Sequence, residues 1–288
     1  MDDGQASKSQ TPVIATKLHI PAPGSQRVKR HRLLQALTQA LEGKVTLLSA
    51  PAGYGKTTLL SEWAADLPVS VGWVSLDRGD QDRIRFWAHT IAALNRACPA
   101  FQAQRVWQIA YTDMAGDALI AALINELHRL SAPVVLVWDD FHYITEPRLL
   151  REIDYFLERL PEHVHLAIAS RTVPQLGLSR MRARGELTEL ETDALRLTLP
   201  ETVELLSSYV SVPLSPDEMA AVLSKRKVGR WASVWPPCRT AKMAAWPGEP
   251  ADGRPLTGAS PPSFSKKCFP SCRMRCNNFC CRRLSWTG

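Results

Sequence analysis

The chain has 288 residues, of which 45% are apolar and 22% are charged. This length predicts one or two domains with a substantial core, and this composition is ordinary for a globular protein. No run approaches the roughly 18 consecutive apolar residues that a membrane-spanning helix needs, and the polar first twenty residues lack the apolar core of a secretory signal. We therefore expect a cytoplasmic protein with no membrane partner.

Charge and cysteine divide the chain at about residue 225. The net charge is +7 overall, but residues 225–288 carry +11 and residues 1–224 carry −4. Six of the seven cysteines also lie beyond residue 225. The net charge of residues 1–224 is mildly negative, so it gives no support for nucleic-acid binding by this part of the chain. Residues 225–288 look like a different kind of sequence.

The N-terminal part precedes the first chemical signal. We expect residues 1–24 to be flexible, with residues 1–16 disordered. A basic cluster follows at residues 27–32 (RVKRHR); it is typical of a solvated, charged helix start, with a contact to RNA or DNA as the less favoured alternative. Apolar residues at helical spacing then predict a helix over residues 33–41.

Residues 45–59 (VTLLSAPAGYGKTTL) are the most informative stretch. A short apolar strand is broken by glycines, and a good helix start resumes at Lys56. This is the context of a phosphate-binding loop, in which backbone N–H groups and the helix dipole converge on one anion. Lys56 would reach the β- and γ-phosphates, and the Thr57 hydroxyl would hold Mg²⁺. The residues predicted to contact the nucleotide are Ala50 (where the pattern usually has its first glycine), Gly53, Tyr54, Gly55, Lys56, Thr57 and Thr58.

A second chemical signal lies at residues 134–140 (VVLVWDD). An apolar run that ends in two acids predicts a buried parallel strand with carboxylates at the ligand edge of the sheet. Asp139 would bind Mg²⁺, and Asp140 would orient or activate the attacking water. Exposed loop acids give the same local pattern, so the functional interpretation depends on the phosphate loop earlier in the chain.

The rest of the body alternates strands with helices. We expect three further strands at residues 69–76, 163–169 and 195–199, and three further helices at residues 84–97, 115–130 and 148–160. Thr202 and Ser215 are interpreted as helix N-caps. Arg171, at the tip of the strand that ends at residue 169, would sense a γ-phosphate or form a surface salt bridge.

In order and spacing, these residues resemble the nucleotide-binding domain of MalT-type regulators. These are the large ATP-binding LuxR-family transcription activators among the signal-transduction ATPases with numerous domains (STAND). The match runs from about residue 16 to residue 224. It rests on the segments TKLHIP, VKRHRLLQAL, APAGYGKTTLL, GWVSLDRGDQD, RFWAHTIAAL, VWDDFH, ASRTVP, LRLTLPETVELL and LSPDEMAAVL.

The resemblance implies an α/β fold, a P-loop NTPase domain with a doubly wound parallel sheet. It also implies a switch that holds ADP at rest, exchanges it for ATP when a small inducer binds, self-associates, and is reset by slow hydrolysis. Arg30, or alternatively Arg32, would lie by the adenine, and Arg171 would sense the γ-phosphate. The predicted site is a catalytic set of Lys56, Asp140 and Arg171, with Thr57 and Asp139 as the ligands of Mg²⁺.

The resemblance ends near Ser224. We expect the family's winged helix, helical-repeat sensor and C-terminal helix-turn-helix to be missing, so that DNA would be bound only through a missing domain. Four cysteines recur at residues 268, 272, 276 and 280, but the paired knuckles of a zinc site are absent, which disfavours a zinc or disulfide framework. With permitted synonymous codons, a shifted reading frame can turn residues 267–288 into an amphipathic segment. We therefore hypothesise that residues 225–288 are a frameshift product, irregular and mostly disordered.

Four parts are therefore expected: a flexible N-terminus (1–24), a nucleotide-binding domain (25–190), the truncated start of a helical or winged-helix module (191–224) and the tail. The expected function is an ATP- and ADP-binding switch that needs Mg²⁺, hydrolyses ATP slowly and belongs to a transcription regulator. One alternative is a free-standing P-loop ATPase or kinase, against which the lack of a second substrate signature weighs. The other is a nonfunctional truncated remnant that binds nucleotide without signalling.

Overall fold

The computed structural model of the chain describes residues 13–22, 28–112 and 116–209. The expected disorder of residues 1–12, the N-cap at Ser215 and the frameshifted tail lie outside these ranges, as does residue 210 onward of the expected helical module.

Five parallel strands form a central sheet in the order β2-β3-β4-β1-β5. The strands are β1 (Val45–Ser49), β2 (Ser70–Ser75), β3 (Val134–Asp139), β4 (Val164–Ser170) and β5 (Leu187–Glu191). Strand β1 lies between β4 and β5, with Val45 opposite both Leu166 and Leu187. The predictions for β1 to β4 are confirmed to within one residue at each end.

Within the described ranges, eight α-helices accompany the sheet. They are α1 (His31–Gln39), α2 (Lys56–Asp66), α3 (Arg83–Ala97), α4 (Ala103–Thr112), α5 (Gly116–His128), α6 (Pro147–Glu158), α7 (Ser179–Ala183) and α8 (Leu199–Tyr209). Local sequence sets several of their starts: the Asp82 carboxylate accepts the Arg85 N–H at α3, and α6 begins with Pro147 behind a Glu146 cap. No described helix has both the length and the apolar content to cross a lipid bilayer.

The helices cover both faces of the sheet. Alternate residues of each strand enter two separate apolar clusters, as the period-2 geometry of a strand requires. One cluster joins residues such as Leu47, Leu136 and Ile168 to α3, α4, α5 and α6. The other joins Leu48 and Ala169, among others, to α1 and α2. The predicted doubly wound α/β fold is confirmed.

The predicted fifth strand was misplaced. Residues 195–199 form no strand; β5 lies earlier, and Leu195 is buried in a turn that follows it. Helix α8 begins three residues before the predicted cap, because Thr198 and Glu201 exchange the reciprocal bonds of a capping box: the Glu201 carboxylate accepts the Thr198 N–H at 2.8 Å. Thr202 is therefore no N-cap, and its hydroxyl instead donates to the Thr198 carbonyl.

The N-terminal segment also differs from its expected flexibility. Ala15–Leu18 is a 3₁₀ turn, and Lys17 Nζ lies 2.5 Å from Asp80 Oδ2 in the interior. The N–H of Ile14 donates to His89 Nε2, so the proton of that ring is on Nδ1 and is donated to Asp80 at 2.9 Å. Burial alone would raise the pKa of Asp80, but the bonds from His89 and Lys17 lower it to about 2. A buried ion pair thus fastens this segment to the domain.

Candidate nucleotide-binding site

The loop between β1 and α2 has the backbone of an anion site. Gly53 (φ 88°) and Gly55 (φ 75°) are in the left-handed region, which glycine adopts without the steric cost of a side chain. Helix α2 begins directly after Gly55. Among the described residues, the N–H groups of Gly53, Gly55, Lys56 and Thr57 donate to no other protein group. A helix N-terminus with free N–H groups is suited to bind phosphate.

Lys56 is folded back onto this loop. Its Nζ donates to the carbonyl oxygens of Ala50 at 2.6 Å and Pro51 at 3.1 Å. Burial lowers the pKa of Lys56, whereas Asp139 and Asp140 raise it. The ammonium group therefore lies within the field of both predicted acids. Of the other predicted loop residues, Tyr54 packs on the α1–α2 cluster and Thr58 is exposed in the first turn of α2.

Thr57 and Asp139 meet although β1 and β3 are not neighbouring strands. The Thr57 hydroxyl donates to Asp139 Oδ1 at 3.1 Å, and the Asp140 N–H donates to the same oxygen at 2.9 Å. Asp139 is 3% exposed, and this burial raises its pKa to about 6. A hydroxyl and a carboxylate oxygen this close can share one hard cation.

The donor set fits Mg²⁺. In the described part of the chain, no three His, Cys, Asp or Glu side chains cluster to form a metal cage. Mg²⁺ rarely uses such cages; it is commonly held by one or two carboxylates together with substrate phosphates. Thr57 and Asp139 would supply the protein's oxygen ligands beside a loop that is suited to phosphate.

Asp140 and a residue that the sequence analysis did not single out lie next to this pair. Asp140 has φ 56° and is the one non-glycine residue with positive φ in the described ranges. His142 Nδ1 lies 3.6 Å from Asp140 Oδ1. Burial lowers the pKa of His142, and the charges of Arg171 and Lys56 lower it further. The only sequence signal for His142 was its position in the VWDDFH segment.

Arg171 lies at the same edge of the sheet. It follows Ser170, which is paired with Ser49 at the end of β1 and whose carbonyl accepts the Ala50 N–H at 3.3 Å. Arg171 is exposed, and no described carboxylate lies within ion-pair distance of it. The salt-bridge alternative thus has no partner in the described ranges, and the γ-phosphate role stays a prediction.

The two candidate arginines differ in their contacts with the loop. Arg30 is buried, which lowers its pKa, and its Nη1 donates to the Tyr54 carbonyl at 3.1 Å. Its Nη2 donates to the Leu195 carbonyl. Arg32 instead donates to the carbonyls of Ala194 and Arg196, at 2.8 and 2.7 Å. Both arginines tie the turn after β5 to the start of α1, but only Arg30 also contacts the phosphate loop.

Comparisons with known protein sequences find one domain family and several similar regulators. The AAA ATPase domain family matches residues 27–169. The HTH-type transcriptional regulator MalT of Cronobacter sakazakii is 37% identical over 223 residues, and that of Klebsiella pneumoniae is 35% identical over 226 residues. Each match covers 77% of this chain, but the chain spans only 24% of the length of these relatives.

Solved structures with a similar chain trace include two archaeal proteins. Cdc6p from Pyrobaculum aerophilum is 16% identical, with a TM-score of 0.44 over 68% of this chain and 53% of its own. A STAND protein with a tetratricopeptide repeat sensor, from Pyrococcus horikoshii, is 16% identical, with a TM-score of 0.46 over 70% of this chain and 28% of its own. On these sequence matches, residues 27–169 form an AAA ATPase domain, and the chain is similar over 77% of its length to MalT regulators.

Proposed function

We propose that this chain is the nucleotide switch domain of a MalT-type transcription regulator, which binds ATP or ADP with Mg²⁺ and hydrolyses ATP slowly. The observation that carries the proposal is the meeting of a phosphate-binding loop with two acids at one sheet edge. The contact between the Thr57 hydroxyl and Asp139, 3.1 Å long, joins the two halves.

The residues divide the work in the following way. The free N–H groups of the loop and the Lys56 ammonium group receive the phosphates, so Lys56 must first leave the Ala50 and Pro51 carbonyls. Thr57 and Asp139 hold Mg²⁺, which when bound neutralises charge on the phosphate oxygens. Asp140 orients the attacking water, and positioning supplies most of the catalysis.

The regulatory part of the proposal comes from the relatives. They are HTH-type transcriptional regulators, and this chain spans about a quarter of their length. Inducer sensing, self-association and DNA binding would therefore depend on parts of a whole regulator beyond this domain. The domain's own contribution is to report whether ATP or ADP is bound. Arg30 is suited to transmit this, because it contacts both the loop and the turn that leads to α8.

The test is nucleotide binding by the full chain and its Lys56→Ala variant, measured by titration with a fluorescent ATP or ADP analogue with and without Mg²⁺. We expect Lys56→Ala to weaken ATP binding at least about 100-fold, or about 2.8 kcal/mol. The control is Lys44→Ala, since Lys44 precedes β1 at the opposite edge of the sheet and pairs with Glu186 at 2.9 Å.

Each alternative predicts a different result in the same assays. Binding within about threefold of wild type for Lys56→Ala would refute the phosphate-loop assignment. Rapid turnover that depends on an acceptor would favour a free-standing ATPase or kinase. Binding with no hydrolysis and no difference between ATP and ADP would favour a nonfunctional remnant.

A further inference from the structure

We propose that His142 is a positioning residue for ATP hydrolysis, which holds the Asp140 carboxylate in the orientation in which it acts on the attacking water. This inference rests on the proposed function and extends it to a residue with no assigned role.

His142 has a polar atom without a partner. Its side chain is 13% exposed, and its Nδ1 atom forms no hydrogen bond within the part of the chain that the structure describes. The nearest acceptor is Asp140 Oδ1 at 3.6 Å, a few tenths of an ångström beyond hydrogen-bond range. Catalytic hydrogen bonds are often long without substrate and shorten in the reacting complex. A small movement of the Asp140 side chain would therefore complete this bond.

The backbone around both residues is fixed. The Asp140 N–H donates to Asp139 Oδ1 at 2.9 Å, and this bond helps to hold Asp140 in a left-handed conformation, which Asp adopts more readily than most non-glycine residues. Phe141, which begins the 3₁₀ turn, is buried and stacks on Trp138 with ring centroids 5.8 Å apart. Because the backbone is fixed, rotation of the half-exposed Asp140 carboxylate is the main freedom left, and His142 is placed to restrict it.

The charges around His142 favour a neutral ring. Lys56 at the start of α2 and Arg171 after β4 both oppose a charged ring, in the same direction as burial, whereas Asp140 favours it. A neutral imidazole can donate from Nδ1 and leave the full negative charge on Asp140. A charged imidazolium would instead form an ion pair with Asp140 and weaken it as a base. The cationic surroundings therefore favour a neutral His142, which can orient the Asp140 carboxylate without neutralising its charge.

The kinetic test uses the full chain and a double-mutant cycle. We expect His142→Ala to lower kcat about 10- to 100-fold while the Kd for a fluorescent ATP analogue changes less than twofold. His142→Asn should recover most of the rate, because its amide nitrogen lies near the position of Nδ1. In an Asp140→Asn background, His142→Ala should have no further effect. His128→Ala, on the exposed last turn of α5, is the matched control.

A second measurement needs no nucleotide. Ring ¹⁵N spectra of the full chain with labelled histidine should show His142 as the neutral tautomer protonated at Nδ1. Asp140→Asn should lower the His142 pKa further, because Asp140 is the neighbour that raises it. Circular dichroism of each variant verifies that it is folded.

The outcomes separate the two proposals. An unchanged kcat in His142→Ala, a further loss in the Asp140→Asn background, or an Nε2-protonated ring would overturn the role of His142. If the wild-type chain neither binds nor hydrolyses ATP, the proposed function fails and the hydrolytic role of His142 fails with it. The ring spectra still decide separately whether His142 donates to Asp140.

Discussion

Replacement of Asp80 by Asn should destabilise the domain by about 3 kcal/mol. The Asp80 carboxylate is fully buried and accepts from Lys17 at 2.5 Å, from His89 at 2.9 Å and from the Asp77 N–H at 2.8 Å. Removal of one partner from a buried ion pair costs about 3–5 kcal/mol, because the other charge stays buried without compensation. Lys17 keeps Asp77 Oδ2 at 2.8 Å, on a half-exposed side chain, so we expect the lower end of this range.

Urea unfolding of a double-mutant cycle measures this cost. The double variant Lys17→Met/Asp80→Asn lacks both charges, so it should be more stable than Asp80→Asn alone by about 1–2 kcal/mol. The matched control is the exposed pair of Lys29 and Asp66, 3.1 Å apart, whose loss should cost less than about 1 kcal/mol. Equal stability of Asp80→Asn and wild type would refute the argument. So would a double variant that loses the sum of the two single losses.

The pH dependence gives an independent test of the same group. The pKa of Asp80 is lowered from 3.8 to about 2 in the folded state. A lowered carboxyl pKa contributes stability that is present above the unfolded pKa and is lost as the pH falls through the folded one. The difference in unfolding free energy between wild type and Asp80→Asn should therefore shrink between about pH 4 and pH 2. A difference that stays constant over this interval would show that the carboxylate is not stabilised as described.

Two further predictions test the loop and the acid. Gly55→Ala and its control Gly185→Ala both place a side chain at positive φ, 75° and 69°, without a close contact, so each should lower the free energy of unfolding in urea by about 1–2 kcal/mol. Only Gly55→Ala should also weaken binding of the ATP analogue. Equal effects of the two variants on binding would contradict a phosphate role for this loop. Asp140→Asn should retain ATP affinity, because Asn tolerates the left-handed backbone at φ 56°. It should slow single-turnover hydrolysis about 100-fold, because an amide cannot act as a base. Unchanged turnover would remove Asp140 from the mechanism.

The local sequence pattern was sufficient to predict the buried strands of the sheet. Strands β1, β3 and β4 are apolar runs buried on both faces, so their burial leaves a continuous signal in the sequence. The edge strand β5 (LTELE) has one buried position among its five residues and is rich in acids, as edge strands often are. Its placement depends on pairing with β1, whereas the alternating leucines at residues 195–199 gave a stronger but false local signal.

Contacts between distant residues could not be predicted in the same way. Lys17 and Asp80 are 63 positions apart, and nothing in the neighbourhood of either residue indicates that the other will neutralise it. The order of elements did predict that Lys56 and Asp139 lie at one edge of a parallel sheet, since the C-terminal ends of its strands share that edge. It did not predict that Arg30 joins the Tyr54 carbonyl of the loop to the Leu195 carbonyl, because Leu195 belongs to a turn where a strand was expected.

The distance between Thr57 and Asp139 depends on β4, a strand to which neither residue belongs. Strands β1 and β3 flank β4, so their ends are separated by about twice the 4.8 Å strand spacing, yet the Thr57 hydroxyl lies 3.1 Å from Asp139. On the face that packs against α2, β4 presents Ala167 and Ala169, both fully buried. Such small side chains allow a helix to pack close to the sheet, which brings its first turn toward β3. The loop sequence therefore determines which atoms can bind phosphate, whereas the alanines of β4 help to set the distance between the loop and the acids.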